Sequence, residues 1–257
     1  MKARLAGKSA LVTGSSSGIG ASIAVRLAQE GANVAINYRK DEEGARQTLA
    51  QVEAAGTRGV ILQADVSTVA EVQALVSAAV EQLGGLDLLV NNAGIEINQS
   101  FTEVDEASFD RVLDVNLKGV FFATQAFARA LIAAKRLGKV INISSVDEEL
   151  PFPEFASYCA SKGGVKMLTR DLANELAPHR ITVNGVVPGA IATPINTALL
   201  EDKPKLDALL SKIPLRRLGS PEEVPGVVAF LASADADFIT AITVLVDGGL
   251  MWNYQEQ

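Results

Sequence analysis

Short apolar runs alternate with longer segments in which apolar residues recur every three or four positions. Runs of strand length lie at residues 9–13, 34–38, 60–64, 86–90, 140–144, 181–187 and 242–246. Between them, 19–31, 41–55, 68–83, 106–136, 156–176 and 221–232 read as helices. In the first of these, Ile19, Ile23, Leu27 and Ala28 share one face and Gly31 supplies the stop. Continuous apolar strands alternating with helices predict an α/β fold: a doubly wound parallel seven-stranded sheet with helices on both faces. Such sheets bind ligands beyond the carboxyl ends of their strands, here just after residues 13, 38, 64, 90, 144 and 187. No linker or repeat interrupts the pattern, so residues 1–257 read as one domain. The longest irregular stretch, about 188–218, is placed to act as a lid over a substrate.

Composition narrows the chemistry. Hydrophobic residues make up 48% of the 257, enough for a sizeable core. The net charge of −7 argues against nucleic acid and anionic membranes as partners. No uninterrupted apolar stretch reaches ~18 residues, so no membrane span is expected. The start runs straight into a strand without a signal-peptide cleavage site, which favours the cytoplasm. One Cys excludes an internal disulfide. With one His beside it, the chain lacks the ligands of a catalytic zinc. No metal is expected; a substrate oxygen here must be polarised by organic acids.

The first strand runs into Thr13-Gly14-Ser15-Ser16-Ser17-Gly18-Ile19-Gly20, which opens a helix. Glycines there allow a tight turn, close approach of a pyrophosphate and close helix–sheet packing. The free N–H groups of the helix start then face the phosphates. Gly14, Ser16, Ser17, Gly18, Ile19 and Gly20 are therefore candidate cofactor residues. After the second strand, Tyr38-Arg39-Lys40 stands where NAD enzymes place an acidic residue for the ribose 2′-hydroxyl. Arg39 suits a 2′-phosphate through its planar fork, which points to NADP, with NAD also usable. Ordinary solvated charges at a helix entry would read the same way. Asp65-Val66 follows the third strand, where Asp65 suits an adenine amino group or the start of a helix. Asn92-Ala93-Gly94 follows the fourth, where small residues leave room for a cofactor or form a plain turn.

Tyr158 and Lys162 are four residues apart, on one face of a helix that follows the fifth strand. A tyrosine titrates near ~10, whereas a useful base sits nearer ~7. The difference is roughly 4 kcal/mol. One ammonium at ~4 Å supplies about that at an effective dielectric near 20. Ser145, just upstream, offers a hydroxyl to a substrate oxygen or serves a turn. Asn116 interrupts a long apolar helix at a cost of a few tenths of a kcal/mol, which suggests a site. Glu96 and Asp147 follow strand ends that should rim the pocket, where carboxylates would accept hydroxyls and repel anions. Glu148 and Glu149 read as solvated loop charges, His179 as a helix-end residue and Cys159 as packing.

In these motifs, TGSSSGIG, NNAG at 91–94, Asn116, Ser145, YCASK and PGAIAT at 188–193, the chain resembles the short-chain dehydrogenase/reductase family over essentially its whole length. The resemblance implies a Rossmann-type domain, a homotetramer and hydride transfer between NAD(P) and a small molecule. In it Tyr158 is the acid/base and Ser145 holds the substrate oxygen. Lys162 binds the nicotinamide ribose and lowers the tyrosine pKa, and Asn116 anchors a relay water. Thr193 and the backbone near Ile191 hold the carboxamide, next to Pro188 and Gly189. Within the family the chain looks like the glucose 1-dehydrogenases in Asn37-Tyr38-Arg39, GIE at 94–96, the run at 143–164, PGAIATPIN and ADADFITAITVLVDGG. That likeness implies oxidation of D-glucose at C1. Asp147 departs from it where a histidine is usual, as does Ala241 where Gly is usual. Rival readings are a 3-oxoacyl-carrier-protein reductase, needing basic surface such as Arg129 and Arg136, and a non-catalytic NADP sensor. The apolar final strand and the aromatics of 251–254 are expected to meet another subunit.

Overall fold

A computed structural model of the chain describes residues 3–193 and 197–253. Among them, seven parallel strands form one sheet in the order β3-β2-β1-β4-β5-β6-β7. They are β1 (Ser9–Val12), β2 (Asn33–Tyr38), β3 (Gly59–Gln63), β4 (Leu88–Asn91), β5 (Gly138–Ile143), β6 (Ile181–Pro188) and β7 (Thr243–Val246). The helices are α1 (Gly18–Gln29), α2 (Glu42–Ala54), α3 (Val69–Leu83), α4 (Glu106–Leu113), α5 (Gly119–Ala134), α6 (Ala156–Leu176), α7 (Thr197–Glu201), α8 (Lys203–Lys212) and α9 (Pro225–Ala232). The expected doubly wound sheet is present.

Because successive strand residues point to opposite faces, each strand feeds two cores. Ala10 and Val12 of β1 pack with Ile23 and Leu27 of α1 and Val228 of α9. Leu11 between them packs with Val76 of α3, Phe127 of α5 and Leu176 of α6. A smaller cluster, Val146, Val187, Ile213 and Leu250, lies beyond the strand ends beneath α8.

Three stretches differ from the pattern-based expectation. The expected strand at 86–90 begins at Leu88 instead; Asp87 before it bonds Ser9 O and Lys139 N through its backbone, while its carboxylate accepts from Ser9 N at 3.0 Å and pairs with Arg136 at 3.0 Å. The expected helix at 106–136 is broken by a π turn at Asp114–Lys118. The whole run Glu106–Ala134 has the length and hydropathy of a membrane span, but Ala123, Phe127 and Leu131 are buried in the core against α3 and the sheet. The segment expected to be irregular carries α7 and α8. Leu206, Leu209 and Leu210 have helical spacing, and Asp202 caps α8 by accepting from Lys205 N at 3.2 Å. Residues 194–196 of that segment and 254–257 of the tail lie outside the described residues.

Ala241, the sequence departure near the C-terminus, has φ +67°. An L-residue there carries a penalty of roughly 1–2 kcal/mol, partly offset because glycine costs more entropy on folding. Ala241→Gly is expected to stabilise the protein by about 0.5 kcal/mol and to raise Tm by ~1–2 °C. A calorimetric Tm at or below wild type would contradict this strain.

Candidate active site

β1 and β4 are neighbours, and the strand order reverses between them, so their carboxyl ends open a crevice. Gly14 takes φ +60° there, and a Cβ on it would stand 2.8 Å from Ala93 Cα. A Cβ on Gly20 would overlap Gly14 O and the Asn92 amide. Asn92 Nδ2 donates to Thr13 O and Gly14 O, both at 2.9 Å. Asn37 Oδ1 accepts from Gly14 N at 3.0 Å. Side chains from β2 and from the end of β4 thus fix the turn's backbone. No side chain caps α1 and its first turn has no acidic residue, so its N–H groups and positive dipole end remain available to an anion.

A cavity of about 950 Å³ runs from this turn across the strand ends to α6 and α8. Its wall includes Gly14, Ser16, Ser17, Gly18, Ile19, Gly20, Tyr38, Arg39, Asp65, Val66, Asn92, Ala93 and Gly94 at one end. Glu96, Ser145, Asp147, Tyr158, Lys162, Pro188, Gly189, Ile191 and Thr193 complete it. Glycine cradle, uncapped helix and length of cavity together fit a nicotinamide dinucleotide with a substrate beside it.

Asn116 is the one expected site residue behind the wall. It is 1% exposed and lies in the π turn. Its Oδ1 accepts from Ile95 N at 2.9 Å, and its Nδ2 donates to Ile95 O at 2.9 Å and to Ser161 Oγ at 3.1 Å. Both side-chain atoms therefore order the loop after β4 and the residue before Lys162, with both Nδ2 protons used. Such π turns recur at functional sites.

At the adenosine end, Arg39 pairs with Asp65 at 3.7 Å, and Arg111 pairs with the same Oδ2 at 3.4 Å. Asp65 Oδ1 also accepts from Ser67 N at 3.0 Å and Ser67 Oγ at 2.7 Å. Arg39 remains 43% exposed at its side chain, with room to turn toward a phosphate.

At the other end Lys162 is buried and donates to Ile143 O at 3.0 Å. Its Nζ stands 5.4 Å from the Tyr158 ring centroid. Burial lowers the Lys162 pKa to about 8, although Asp147, Glu148 and Glu96 hold it up. Tyr158 moves opposite to the expectation. Burial pushes its phenol above the ordinary value, Asp147 and Glu96 push it further, and Ser145 opposes them. The main reason is burial of the phenol, to which the nearby carboxylates add. Burial also raises the Glu96 carboxyl, helped by Asp147 and opposed by Lys162. Asp147 is likewise raised by burial and held back by Ser145 and Lys162.

Ser145 Oγ donates to Asp147 Oδ2 at 2.6 Å and accepts from Asp147 N at 3.2 Å. Glu148 is not the solvated charge its position suggested. Its Oε2 is buried, and burial raises its pKa, with Ser144 and Lys166 opposing. Glu149 is exposed and pairs with Lys166. Cys159 packs at 3.9 Å from Asp147 Oδ1, and its thiol is pushed up by burial. His179 is exposed at the end of a short turn after α6.

Sequence reasoning missed the apolar half of the pocket. Phe152 and Phe155 line it in an edge-on chain with Tyr158, at centroid distances of 6.5 and 6.4 Å. Leu199, Leu209 and Leu250 line the same cavity. The PFPEF run before α6 was the available signal, but aromatic residues in a loop do not declare which surface they cover.

The geometry agrees with comparisons to known proteins. A short-chain dehydrogenase family model, described as enoyl-(acyl carrier protein) reductase, matches residues 14–251. The chain is 46% identical to a 3β-hydroxysteroid dehydrogenase 1 of Eggerthella lenta, over 96% of this chain and 94% of that protein. It is 40% identical to glucose 1-dehydrogenase 2 of Bacillus subtilis, over 96% and 95%. A crystal structure of a gluconate 5-dehydrogenase from Burkholderia cenocepacia, in complex with NADP and tartrate, superposes with a TM-score of 0.91 at 40% identity, covering 97% of each chain. The chain belongs to the short-chain dehydrogenase/reductase family and is an NAD(P)-dependent oxidoreductase.

Proposed function

We propose that this enzyme oxidises a neutral polyhydroxy alcohol with NADP, in the simplest case D-glucose at C1 to gluconolactone. The observation that carries the substrate class is the pair Glu96 and Asp147 on the cavity wall beside Tyr158. Carboxylates accept hydrogen bonds from hydroxyls and repel anions, which disfavours sugar acids and acyl carriers. The overall charge of −7 acts in the same sense.

The chain's residues divide the work. The turn from Ser16 to Gly20 would hold the pyrophosphate, Asp65 and Val66 would border the adenine, and Arg39 would meet the 2′-phosphate, all of them on the cavity wall. Lys162 would hold the ribose, and Ile191 and Thr193 the carboxamide. When bound, the nicotinamide supplies the acceptor for the hydride. Tyr158 takes the proton of the substrate hydroxyl at its phenolic oxygen, leaving a carbonyl after the C–H hydrogen departs with its electron pair. Ser145 fixes the substrate oxygen. Asn116 is a positioning residue, acting through Ile95 and Ser161. The α7–α8 segment closes over the substrate within the same single domain.

A second reading, a hydroxysteroid substrate, draws on the apolar wall of Phe152, Phe155 and Leu209 and on the Eggerthella relative. Initial rates with D-glucose, a 3β-hydroxysteroid and an acetoacetyl thioester, each with NAD(H) and NADP(H), separate them. We expect glucose with NADP to be fastest; a faster steroid or thioester would replace this reading.

The enzyme is proposed to work as a homotetramer in the cytoplasm. β7 is the sheet edge, all four of its residues are only half-buried, and Phe238 and Trp252 are exposed at 105% and 59%. Deleting residues 251–257 should move the protein to a later elution volume on size exclusion; an unchanged volume would count against the tail as an interface.

A further inference from the structure

We infer that Arg111, which is not on the cavity wall, sets cofactor preference from behind it: it keeps Asp65 supplied with a counter-charge and so releases Arg39 to the 2′-phosphate of NADP; this rests on the reading that Arg39 meets that phosphate.

Two guanidiniums share one carboxylate oxygen at the adenosine end. Arg111 Nη2 donates to Asp65 Oδ2 at 3.4 Å, and Arg39 Nη1 approaches the same atom at 3.7 Å. They hold it differently. Arg111 Nη1 also donates to Ser67 Oγ at 2.9 Å, and that hydroxyl donates in turn to Asp65 Oδ1 at 2.7 Å. Arg111, Ser67 and Asp65 thus close a ring, which Ser67 N tightens by donating to Oδ1 at 3.0 Å. The backbone N–H of Asp65 donates to the Glu71 carboxylate at 2.7 Å, which fixes the residue's main chain as well. Arg39 has no place in that ring. Its contact with Asp65 is longer than a hydrogen bond, and its part-exposed side chain follows directly on β2. Arg39 and Asp65 line the cavity, whereas Arg111 and Ser67 do not.

One guanidinium is enough to balance Asp65, and the geometry shows which of the two stays. Arg111 is the resident partner; Arg39 is the one that can leave. The attraction between Arg39 and Asp65 opposes any turn of Arg39 toward a phosphate. With Arg111 in place, Asp65 keeps a counter-charge when Arg39 goes, and it repels the incoming phosphate less. Without Arg111, Asp65 would hold Arg39 more strongly and would stand bare beside the phosphate once Arg39 had left. NAD carries a hydroxyl at that position, so no charge draws Arg39 away and the exchange does not take place. Arg111 therefore acts on NADP through Asp65 and Arg39, and is a positioning residue.

Dissociation constants of NADPH and NADH, measured by fluorescence titration at low ionic strength where ion pairs are least screened, provide the test. Arg111→Met keeps the aliphatic stem and removes the charge. It should weaken NADPH binding about 3-fold, the scale of a part-exposed ion pair, and leave NADH within about 1.5-fold. In an Arg39→Ala background the same substitution should leave the NADPH:NADH ratio unchanged, as a double-mutant cycle requires when one residue acts through the other. Asp65→Asn keeps a side-chain oxygen and removes the hold on Arg39. It should favour NADPH by about the same factor, again only while Arg39 is present, and it tests the same exchange should Arg111→Met not fold. Equal losses for both cofactors would make Arg111 a structural residue. A loss of NADPH binding that survives Arg39→Ala would make it a direct source of field at the phosphate. Either result, or a ratio that Arg111→Met does not move, overturns the inference while Arg39 stays the phosphate's partner. An Arg39→Ala variant with the wild-type ratio would instead remove the reading of Arg39, and the inference with it.

Discussion

Tyr158→Phe should lower kcat by at least ~10³-fold while leaving the NADPH dissociation constant within a factor of about 3, because general acid–base catalysis contributes ~10²–10⁴ and the proton here has no other named acceptor. The substitution removes one oxygen and keeps the ring, so the edge-on contact with Phe155 at 6.4 Å should persist. Stopped-flow turnover and fluorescence titration of NADPH read the two quantities separately. A Phe variant with near-normal kcat would refute Tyr158 as the acid/base. The pH dependence carries a further sign. Burial, Asp147 and Glu96 raise the phenol, so the base form is scarce at neutral pH. Oxidation should therefore climb on the alkaline side as Tyr158 ionises, and that limb should disappear in the Phe variant. Asp147→Asn removes one of the raising charges, so it should move the limb to lower pH.

Arg39→Glu should raise KM for NADP by roughly 10–100-fold and leave KM for NAD within a few-fold. A hydrogen bond to a charged group is worth about 1.5–3 kcal/mol, and the new carboxylate would repel the 2′-phosphate that the guanidinium attracts. Arg39 follows directly on β2 and its side chain is 43% exposed, so the exchange should not disturb the core. Its present partner, Asp65 at 3.7 Å, keeps Arg111 at 3.4 Å and is not left without a counter-charge. Steady-state kinetics with both cofactors measures the ratio. Equal losses with NADP and NAD would show that Arg39 is a surface charge and that the 2′-phosphate is read elsewhere.

Much of this protein was legible without coordinates. The alternation of apolar strands and amphipathic helices determined a doubly wound parallel sheet, because both faces of such strands must be buried and only helices can cover them. The strand ends, and so the stations of Gly14, Arg39, Asp65, Gly94, Ser145 and Tyr158 along the crevice, followed from that alternation. The glycine spacing marked the turn as well, although it is contact with Ala93 and Asn92 that leaves no room for a side chain at Gly14 or Gly20.

Tertiary structure alone decided what depends on contacts between distant segments. The helix at 106–136 kept its apolar period through 114–118, so nothing in the period announced the π turn; Asn116 binding Ile95 and Ser161, 21 and 45 residues away, accompanies it. Leu206, Leu209 and Leu210 had helical spacing, but only the cluster with Val146, Val187 and Leu250 shows what that short helix covers. The sign of the Tyr158 shift was out of reach for the same reason. A Tyr–Lys spacing counts one ammonium, whereas the field at the phenol sums burial and two carboxylates brought in from Glu96 and Asp147. Sequence periodicity reports the environment of a residue's own element; a pKa and a pocket wall belong to the space between elements, and that space exists only once the chain has folded.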